Sequence, residues 1–189
     1  MAGVDAPLVV GIVGRKNSGK TTLLVRVAAE LGRRGLRVAS VKHGHHEFEI
    51  DQPGRDSWRH VHEGGVEAVL LLSSRKLAMV MHTPEGEPEV HEMIERHLGG
   101  RGYDVVLVEG FKHGDLPKIE IHRRGVHPRP IHDPADAPAA ALFLALVTDE
   151  TSALASCPVI PLSADAADAG HVRQVADLIT RLRERAADG

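Results

Sequence analysis

The chain has 189 residues, of which 42% are hydrophobic, and its formal net charge is −3. This length is enough to bury a core, and we expect one domain over residues 1–189. Because the charge is nearly balanced and aromatic residues make up only 3%, composition argues against a nucleic-acid-binding surface. Neither a membrane span nor a signal peptide is evident, and the single cysteine, Cys157, fits a reducing compartment. Cys157 comes just before a predicted strand, where we expect a buried structural thiol rather than a nucleophile. We therefore expect a cytoplasmic protein that does not bind a membrane.

The apolar run at residues 8–13 is long enough for one buried strand and too short for a helix. Residues 14–21 then fit the pattern G-x-x-x-x-G-K-[ST], and an amphipathic helix follows. Glycines permit a tight turn whose backbone N–H groups point at an anion at the helix N-terminus. The pattern thus predicts a P-loop, with the ammonium of Lys20 on the β- and γ-phosphates and the hydroxyl of Thr21 on Mg²⁺. Its nucleotide-binding residues are Gly14, Lys16, Asn17, Ser18, Gly19, Lys20, Thr21 and Thr22.

After the first helix, the β-branched run at residues 38–41 predicts the second strand. The segment that follows is rich in His, Asp and Arg, so it must face solvent or a ligand. We interpret residues 42–53 as a switch-like loop in which Asp51 faces the magnesium–phosphate group. A short helix is expected over residues 56–63.

Residues 66–72 and 77–81 predict a hairpin that extends the sheet, and a short helix follows from residue 90. The buried strand at residues 105–108 ends in Glu109. A carboxylate at that place is the Walker B pattern, which holds Mg²⁺ beside the P-loop.

Residues 116–122 alternate with period two, which predicts a strand with one solvated face. The strand at residues 142–147 ends in Thr148 and Asp149, where the carboxylate either reads guanine or caps a turn. A last strand at residues 159–162 and a C-terminal helix with an apolar stripe at Val172, Val175, Ile179 and Leu182 complete an α/β fold. We predict a P-loop NTPase with a mostly parallel sheet, flanking helices and an added antiparallel hairpin.

Four of the six lysines lie just beyond strand ends, where an open α/β sheet binds its ligand: Lys16, Lys20, Lys42 and Lys112. For Lys42 and Lys112, contact with phosphate and simple solvation are equally good interpretations. His43, His45 and His46 form a further cluster, which either binds a transition metal or, more commonly for loop histidines, contacts phosphate or solvent.

These motifs together resemble the molybdopterin-guanine dinucleotide biosynthesis protein B family. The resemblance rests on Gly-Arg-Lys-Asn-Ser-Gly-Lys-Thr-Thr at 14–22, Val-Lys-His-Gly-His-His at 41–46, the segment 48–60, Leu-Val-Glu-Gly-Phe-Lys-His-Gly at 107–114, and Pro-Lys-Ile-Glu-Ile-His-Arg at 117–123. It covers roughly residues 9–149.

The resemblance implies a homodimeric adapter that binds GTP with Mg²⁺, hydrolyses it slowly and assists the guanylyltransferase that joins GMP to molybdopterin. By position it implies Lys20 and Asp51 as catalytic candidates, Thr21, Asp51 and Glu109 as magnesium ligands, and Thr148 and Asp149 at the base. The surface for partner or pterin would comprise Lys42, His43, His45, His46, Lys112 and His113. Two alternatives stay open: a phosphotransferase acting on a small acceptor through Arg55, Arg59 and Arg75, and a metallochaperone GTPase that uses the three histidines.

Overall fold

The computed structural model describes residues 6–44, 51–81, 86, 89–150, 155–163, 165 and 167–187. In chain order its elements are β1 (Leu8–Val13), α1 (Lys20–Arg33), β2 (Val38–Lys42), α2 (Asp56–His62), β3 (Ala68–Leu72), β4 (Leu77–Met81), α3 (Val90–Leu98), β5 (Val105–Glu109), β6 (Lys118–His122), α4 (Ala137–Ala140), β7 (Phe143–Thr148), β8 (Val159–Pro161) and α5 (Gly170–Ala187).

Six strands form one sheet in the order β2-β5-β1-β6-β7-β8, and every neighbouring pair is parallel. Parallel strands place their carboxyl ends at one edge of the sheet, so the P-loop after β1 lies between the ends of β5 and β6. This arrangement confirms the predicted α/β fold with a mostly parallel sheet.

Helices α1 and α5 contact each other and pack against the sheet, where the main hydrophobic core lies. The predicted apolar stripe of α1 is buried at Leu23, Leu24, Val27 and Leu31, and that of α5 at Val172, Val175 and Ile179. Burial of each such side chain stabilises the fold by about 1.5–3 kcal/mol. The helical period in the sequence therefore reported the core-facing sides of both helices correctly.

Strand β6 differs from its prediction, because all five of its residues are buried and no face is solvated. Lys118, Glu120 and His122 alternate with two isoleucines, and each is less than 3% exposed. The prediction of a solvated face was wrong because β6 lies between β1 and β7, and its polar side chains bind neighbouring loops.

The contacts divide the chain into two units, residues 45–93 and the remainder. In the smaller unit β3 and β4 pair with each other in an antiparallel two-stranded sheet, and α2 contacts β3. The hairpin was predicted correctly, but its expected extension of the main sheet was wrong, since β3 and β4 form a sheet of their own. The expectation of one domain stays a prediction.

In the part of the chain that the structure describes, no helix combines the length and the apolar character that a bilayer crossing requires.

Candidate nucleotide-binding site

The loop between β1 and α1 needs glycine at both positions that the motif specifies. Gly14 has φ 151°, and a Cβ there would lie 2.5 Å from the carbonyl oxygen of Ile121 and 2.6 Å from Ser18 Oγ. Gly19, just before α1, has φ 100°, a conformation that side chains rarely adopt. Asn17 also has a positive φ, 64°, which asparagine tolerates better than most residues. The backbone therefore forms the tight turn that the sequence predicted before a helix N-terminus.

The lysines of this edge gather around Lys20, the first residue of α1. Lys20 Nζ donates a hydrogen bond to the carbonyl oxygen of Arg15 at 2.8 Å. Burial lowers the pKa of Lys20, the charge of Glu109 raises it, and the charges of Lys112 and Lys42 lower it further. The ammonium groups of Lys42 and Lys112 thus both lie within electrostatic reach of Lys20, which favours a bound polyanion.

Glu109 ends β5 directly beside the start of α1. The Thr21 hydroxyl donates a hydrogen bond to Glu109 Oε1 at 2.8 Å. A hydroxyl and a carboxylate oxygen are the kind of ligand that Mg²⁺ takes in phosphate sites. Thr21 of the P-loop and Glu109 of the Walker B strand, both predicted as magnesium ligands, are therefore in contact, and their oxygens suit that ion.

On the β6 side of the P-loop, β7 ends in Thr148, and Asp149 follows it. Asp149 Oδ1 accepts a hydrogen bond from the backbone N–H of Arg124 at 2.9 Å. Thr148 Oγ1 lies 3.0 Å from His122 Nδ1 and accepts the backbone N–H of Glu150 at 3.1 Å. One oxygen of the Asp149 carboxylate thus holds the loop after β6, and guanine reading by Asp149 stays a prediction.

The polar side chains of β6 hold loops beside the candidate site, a role that the sequence analysis did not predict. Lys118 Nζ donates to the carbonyl oxygens of Lys112 at 3.2 Å and Gly114 at 2.5 Å. Glu120 accepts backbone N–H groups from Ile131 at 2.6 Å and His132 at 2.8 Å. Each bond fixes a loop at or near the binding edge. The period-two alternation was the available signal, but it was interpreted as exposure.

Burial shifts the pKa values of Lys118 and Glu120. It lowers the pKa of Lys118, against an opposing effect of Asp115. It raises the pKa of Glu120, against smaller effects of the two backbone N–H groups, His122 and Arg15.

A hydrogen-bonded series connects β6 to the P-loop itself. His122 Nε2 lies 2.9 Å from the carbonyl oxygen of His127. The ring of His127 in turn places Nε2 2.8 Å from the carbonyl oxygen of Lys16. The end of β7, the loop after β6 and the phosphate loop are therefore held by one set of side chains.

The remaining predicted residues are placed as follows. Asp51 lies in the smaller unit, where its Oδ1 accepts the backbone N–H of Gln52 at 3.0 Å, and its role toward magnesium stays a prediction. His43 packs edge-on against Phe111 with ring centroids 5.0 Å apart, and Lys112 and His113 are exposed. His45 and His46 lie outside the described residues. Among the residues that are described, no three His, Cys, Asp or Glu side chains converge as a metal site would require.

Cys157 lies before β8, as predicted, but it is half-buried rather than fully buried. Burial is the main effect on its thiol and raises its pKa. A thiol shifted in that direction is a poor nucleophile, which agrees with the structural interpretation.

Comparison with known proteins assigns the chain to a family. The model of the family described as molybdopterin guanine dinucleotide synthesis protein B matches residues 9–149. A Haemophilus influenzae molybdopterin-guanine dinucleotide biosynthesis adapter protein is 40% identical over 114 residues, which are 60% of this chain and 62% of that protein. The adapter protein of the same name from Escherichia coli is 32% identical over 130 residues, 69% of this chain and 74% of that protein. The chain thus matches a little under two thirds of the length of the Haemophilus relative.

Solved structures agree with this assignment. A crystal structure of molybdopterin-guanine biosynthesis protein B superposes with a TM-score of 0.63 at 29% identity, covering 94% of this chain and 99% of that one. The Bacillus subtilis MobB structure has the same TM-score at 22% identity, covering 90% and 96%, which supports the fold alone. Since the family model extends from the P-loop strand to Asp149, this chain belongs to the molybdopterin guanine dinucleotide synthesis protein B family.

Proposed function

We propose that this protein is a GTP-binding, weakly GTP-hydrolysing adapter that assists the guanylyltransferase attaching GMP to molybdopterin. The observation that carries the proposal is the 2.8 Å contact of Thr21 with Glu109, directly beside Lys20 at the end of the P-loop. Among P-loop proteins this pair of oxygens beside a lysine is the arrangement that serves a magnesium nucleotide.

The triphosphate would bind to the backbone N–H groups of residues 16–22 and to the ammonium groups of Lys20, Lys42 and Lys112. Lys20 now donates to a loop carbonyl, so a β- or γ-phosphate oxygen would replace a hydrogen bond that already orients its Nζ. Thr21 and Glu109 would hold Mg²⁺, and Asp51, in the smaller unit, is a third ligand assigned from the sequence alone. When bound, this ion would neutralise charge on the β- and γ-phosphates.

The residues that follow Glu109 support the proposal that GTP hydrolysis is weak. Phosphoryl transfer depends on a group that positions the attacking water. The next two residues are Gly110 and Phe111, neither of which has a polar side chain. Lys20 and Asp51 are the catalytic candidates, and we propose that nucleotide binding, more than turnover, is the useful event.

The proposed partner and pathway rest on the relatives, which are named as adapters of molybdopterin-guanine dinucleotide biosynthesis. Exposed groups near the binding edge, Lys112 and His113 among the described residues, offer donors to an anionic pterin cofactor or to the partner enzyme. Lys42 and His43 belong to the same proposed surface, and His45 and His46, which lie outside the described residues, are assigned to it from the sequence alone.

We further propose that the protein forms a homodimer through the hairpin of β3 and β4. Most of the hairpin's large apolar side chains are exposed, including Leu72 at 70% and Leu77 at 66%, which face each other in the register. A two-stranded sheet of this kind is only marginally stable alone, and among the described residues no further strand pairs with its edges. Contact with a second copy would bury its apolar side chains. Sedimentation velocity should show a dimer that Leu72→Glu with Leu77→Glu converts to monomer. Val25→Glu, at an equally apolar exposed position on α1, should leave the dimer intact.

The adapter function is tested by binding in two stages. Calorimetric titration with Mg²⁺ should give tighter binding of GTP than of ATP, and Glu109→Gln should weaken GTP binding while Glu184→Gln, an exposed matched change on α5, should not. Immobilised wild-type protein should then retain purified guanylyltransferase more strongly with GTP than without. Equal affinity for GTP and ATP would remove the role of Asp149, and no retention with GTP would contradict the adapter function.

A further inference from the structure

Lys118 is buried in β6, and its side chain is bonded to the loop that follows Glu109. Its Nζ donates to the carbonyl oxygen of Lys112 at 3.2 Å and to that of Gly114 at 2.5 Å. The ring of Phe143 has its centroid 5.8 Å from the same atom, within range of a cation–π interaction. Because only 2% of Lys118 is exposed, its ammonium serves this loop rather than a ligand.

The bonded part of the loop is a tight turn in an unfavourable backbone conformation. The Gly114 N–H donates to the carbonyl oxygen of Phe111 at 3.2 Å, which closes the turn at residues 111–114. Phe111 has φ 56°, a value that costs free energy for a bulky residue. The Phe111 ring covers Gly114 so closely that a Cβ there would overlap it. Such a conformation persists only where the surrounding contacts hold it.

This turn carries Lys112 to the phosphate edge of the sheet. Just before it, the Gly110 N–H donates to the carbonyl oxygen of Ile12 at 3.1 Å, beside the strand that leads into the P-loop. The charge of Lys112 lowers the pKa of Lys20, so the two ammonium groups are within electrostatic reach. Lys112 is itself exposed, and the direction of its side chain therefore depends on the backbone from which it extends.

From these contacts we infer that Lys118 is a positioning residue for nucleotide binding, which holds the turn at residues 111–114 so that the Lys112 ammonium faces the phosphates. The inference rests on the proposed GTP binding and adds to it a residue that acts on the nucleotide without contacting it. Without the Lys118 ammonium, two carbonyl oxygens would lose their donor and Phe111 would be free to leave its strained conformation. Lys112 would then have to be ordered when the nucleotide binds, which weakens binding.

A positioning role differs from a merely structural one in how two substitutions combine. If Lys118 acts through Lys112, its removal has no further effect on GTP affinity once the Lys112 side chain is absent. If Lys118 only stabilises the fold, the effects of the two substitutions on affinity are independent and their factors multiply.

The test is therefore a double-mutant cycle, measured by calorimetric titration of the full-length protein with GTP and Mg²⁺. Lys118→Met keeps an unbranched side chain and removes the donor, and it should weaken GTP binding about tenfold. Lys112→Ala should weaken it by a similar factor. The double variant should also lose about tenfold, rather than the roughly hundredfold that independent effects would give.

A second variant disturbs the turn and leaves Lys118 in place. Gly114→Ala introduces a Cβ where the Phe111 ring lies, so the ring or the turn must move, and GTP binding should weaken about threefold or more. This loss should also disappear in the Lys112→Ala background. Gly32→Ala, in the last turn of α1, adds a Cβ that meets no atom within 4 Å and should bind GTP as wild type does.

The possible results separate the inference from the function on which it rests. If wild-type protein does not bind GTP, the proposed nucleotide binding fails and the inference fails with it. If wild-type protein binds GTP but Lys118→Met binds it equally well, or the double variant loses the product of the two factors, only the positioning role is overturned. If circular dichroism shows that Lys118→Met is unfolded, the cycle of Gly114→Ala with Lys112→Ala decides by the same criterion.

Discussion

The five residues of β6 are divided between two faces that serve different purposes. On one face Ile119 and Ile121 belong to the hydrophobic core beneath α1 and α5. On the other face Lys118, Glu120 and His122 are equally buried, but their partners are backbone groups of loops and the Thr148 hydroxyl. One face stabilises the fold through burial of apolar area, and the other holds the loops that surround the phosphate site.

This difference shows how a strand can position a site without touching the ligand. No long helix connects β5 to β6 or β6 to β7: residues 110–117 form the first connection, and residues 123–142 form the second, in which α4 is a single turn. Buried side chains can hold such loops only if every polar atom is satisfied, since an unsatisfied buried group costs about 1–3 kcal/mol. The polar face therefore links folding stability to the shape of the binding edge, and substitutions on the two faces should differ in what they affect.

The largest stability effect is expected on the apolar face. Ile119→Ala removes a side chain with no exposed surface and should lower the free energy of unfolding by about 2–5 kcal/mol. GTP affinity of the folded protein should change little, because the residue contacts the core rather than a loop. Urea unfolding and calorimetry measure the two quantities. A large loss of affinity at unchanged stability would show that the faces are not separate.

Glu120 should give a smaller, pH-dependent effect. Because its folded-state pKa is raised above 4.5, the folded protein binds the proton more tightly than the unfolded chain does. Its contribution to stability is therefore complete below pH 4.5 and is lost as pH rises through the raised pKa. Glu120→Gln should remove this decline. Urea unfolding of both proteins between pH 4 and pH 8 tests the sign, and a wild-type stability that rises relative to Glu120→Gln over that interval would contradict it.

His127 should give the smallest effect. His127→Ala removes the bond to the Lys16 carbonyl and should cost about 1 kcal/mol or less of stability. GTP affinity should fall about threefold, since the phosphate loop loses one restraint. His97→Ala on α3 is the matched control. If His127→Ala and His97→Ala both bind GTP with wild-type affinity in calorimetry, the hydrogen bonds from β6 to the P-loop do not contribute to nucleotide binding.

The sequence was most informative where its patterns report local geometry. The P-loop glycines were predicted because a tight turn restricts which residues fit. The α1 and α5 stripes and the strand ending in Glu109 were predicted because burial selects apolar residues at regular spacing. Contacts between residues that are distant in the sequence produce weaker patterns. Nothing in the sequence showed that Arg123 lies over Gly19, or that Asp149 accepts a backbone hydrogen bond.

The two wrong expectations about strands have a common physical origin. The alternation in β6 fits a strand with one solvated face, and the hairpin of β3 and β4 fits an extension of the main sheet. Only the strand order reveals that β6 is central, with polar residues buried by loops, and that the hairpin forms a separate sheet. Alternation specifies which residues share a face, but it does not specify what covers that face.

The central claim is that the P-loop amides and Lys20 bind the triphosphate of GTP. Its most direct test is calorimetric titration of GTP and Mg²⁺ into wild-type protein and Lys20→Ala, with Lys76→Ala, an exposed lysine of the hairpin turn, as the control. We predict that Lys20→Ala keeps the wild-type circular dichroism spectrum and loses about a hundredfold or more in GTP affinity, while Lys76→Ala binds normally. A folded Lys20→Ala protein that binds GTP as tightly as wild type would contradict the claim.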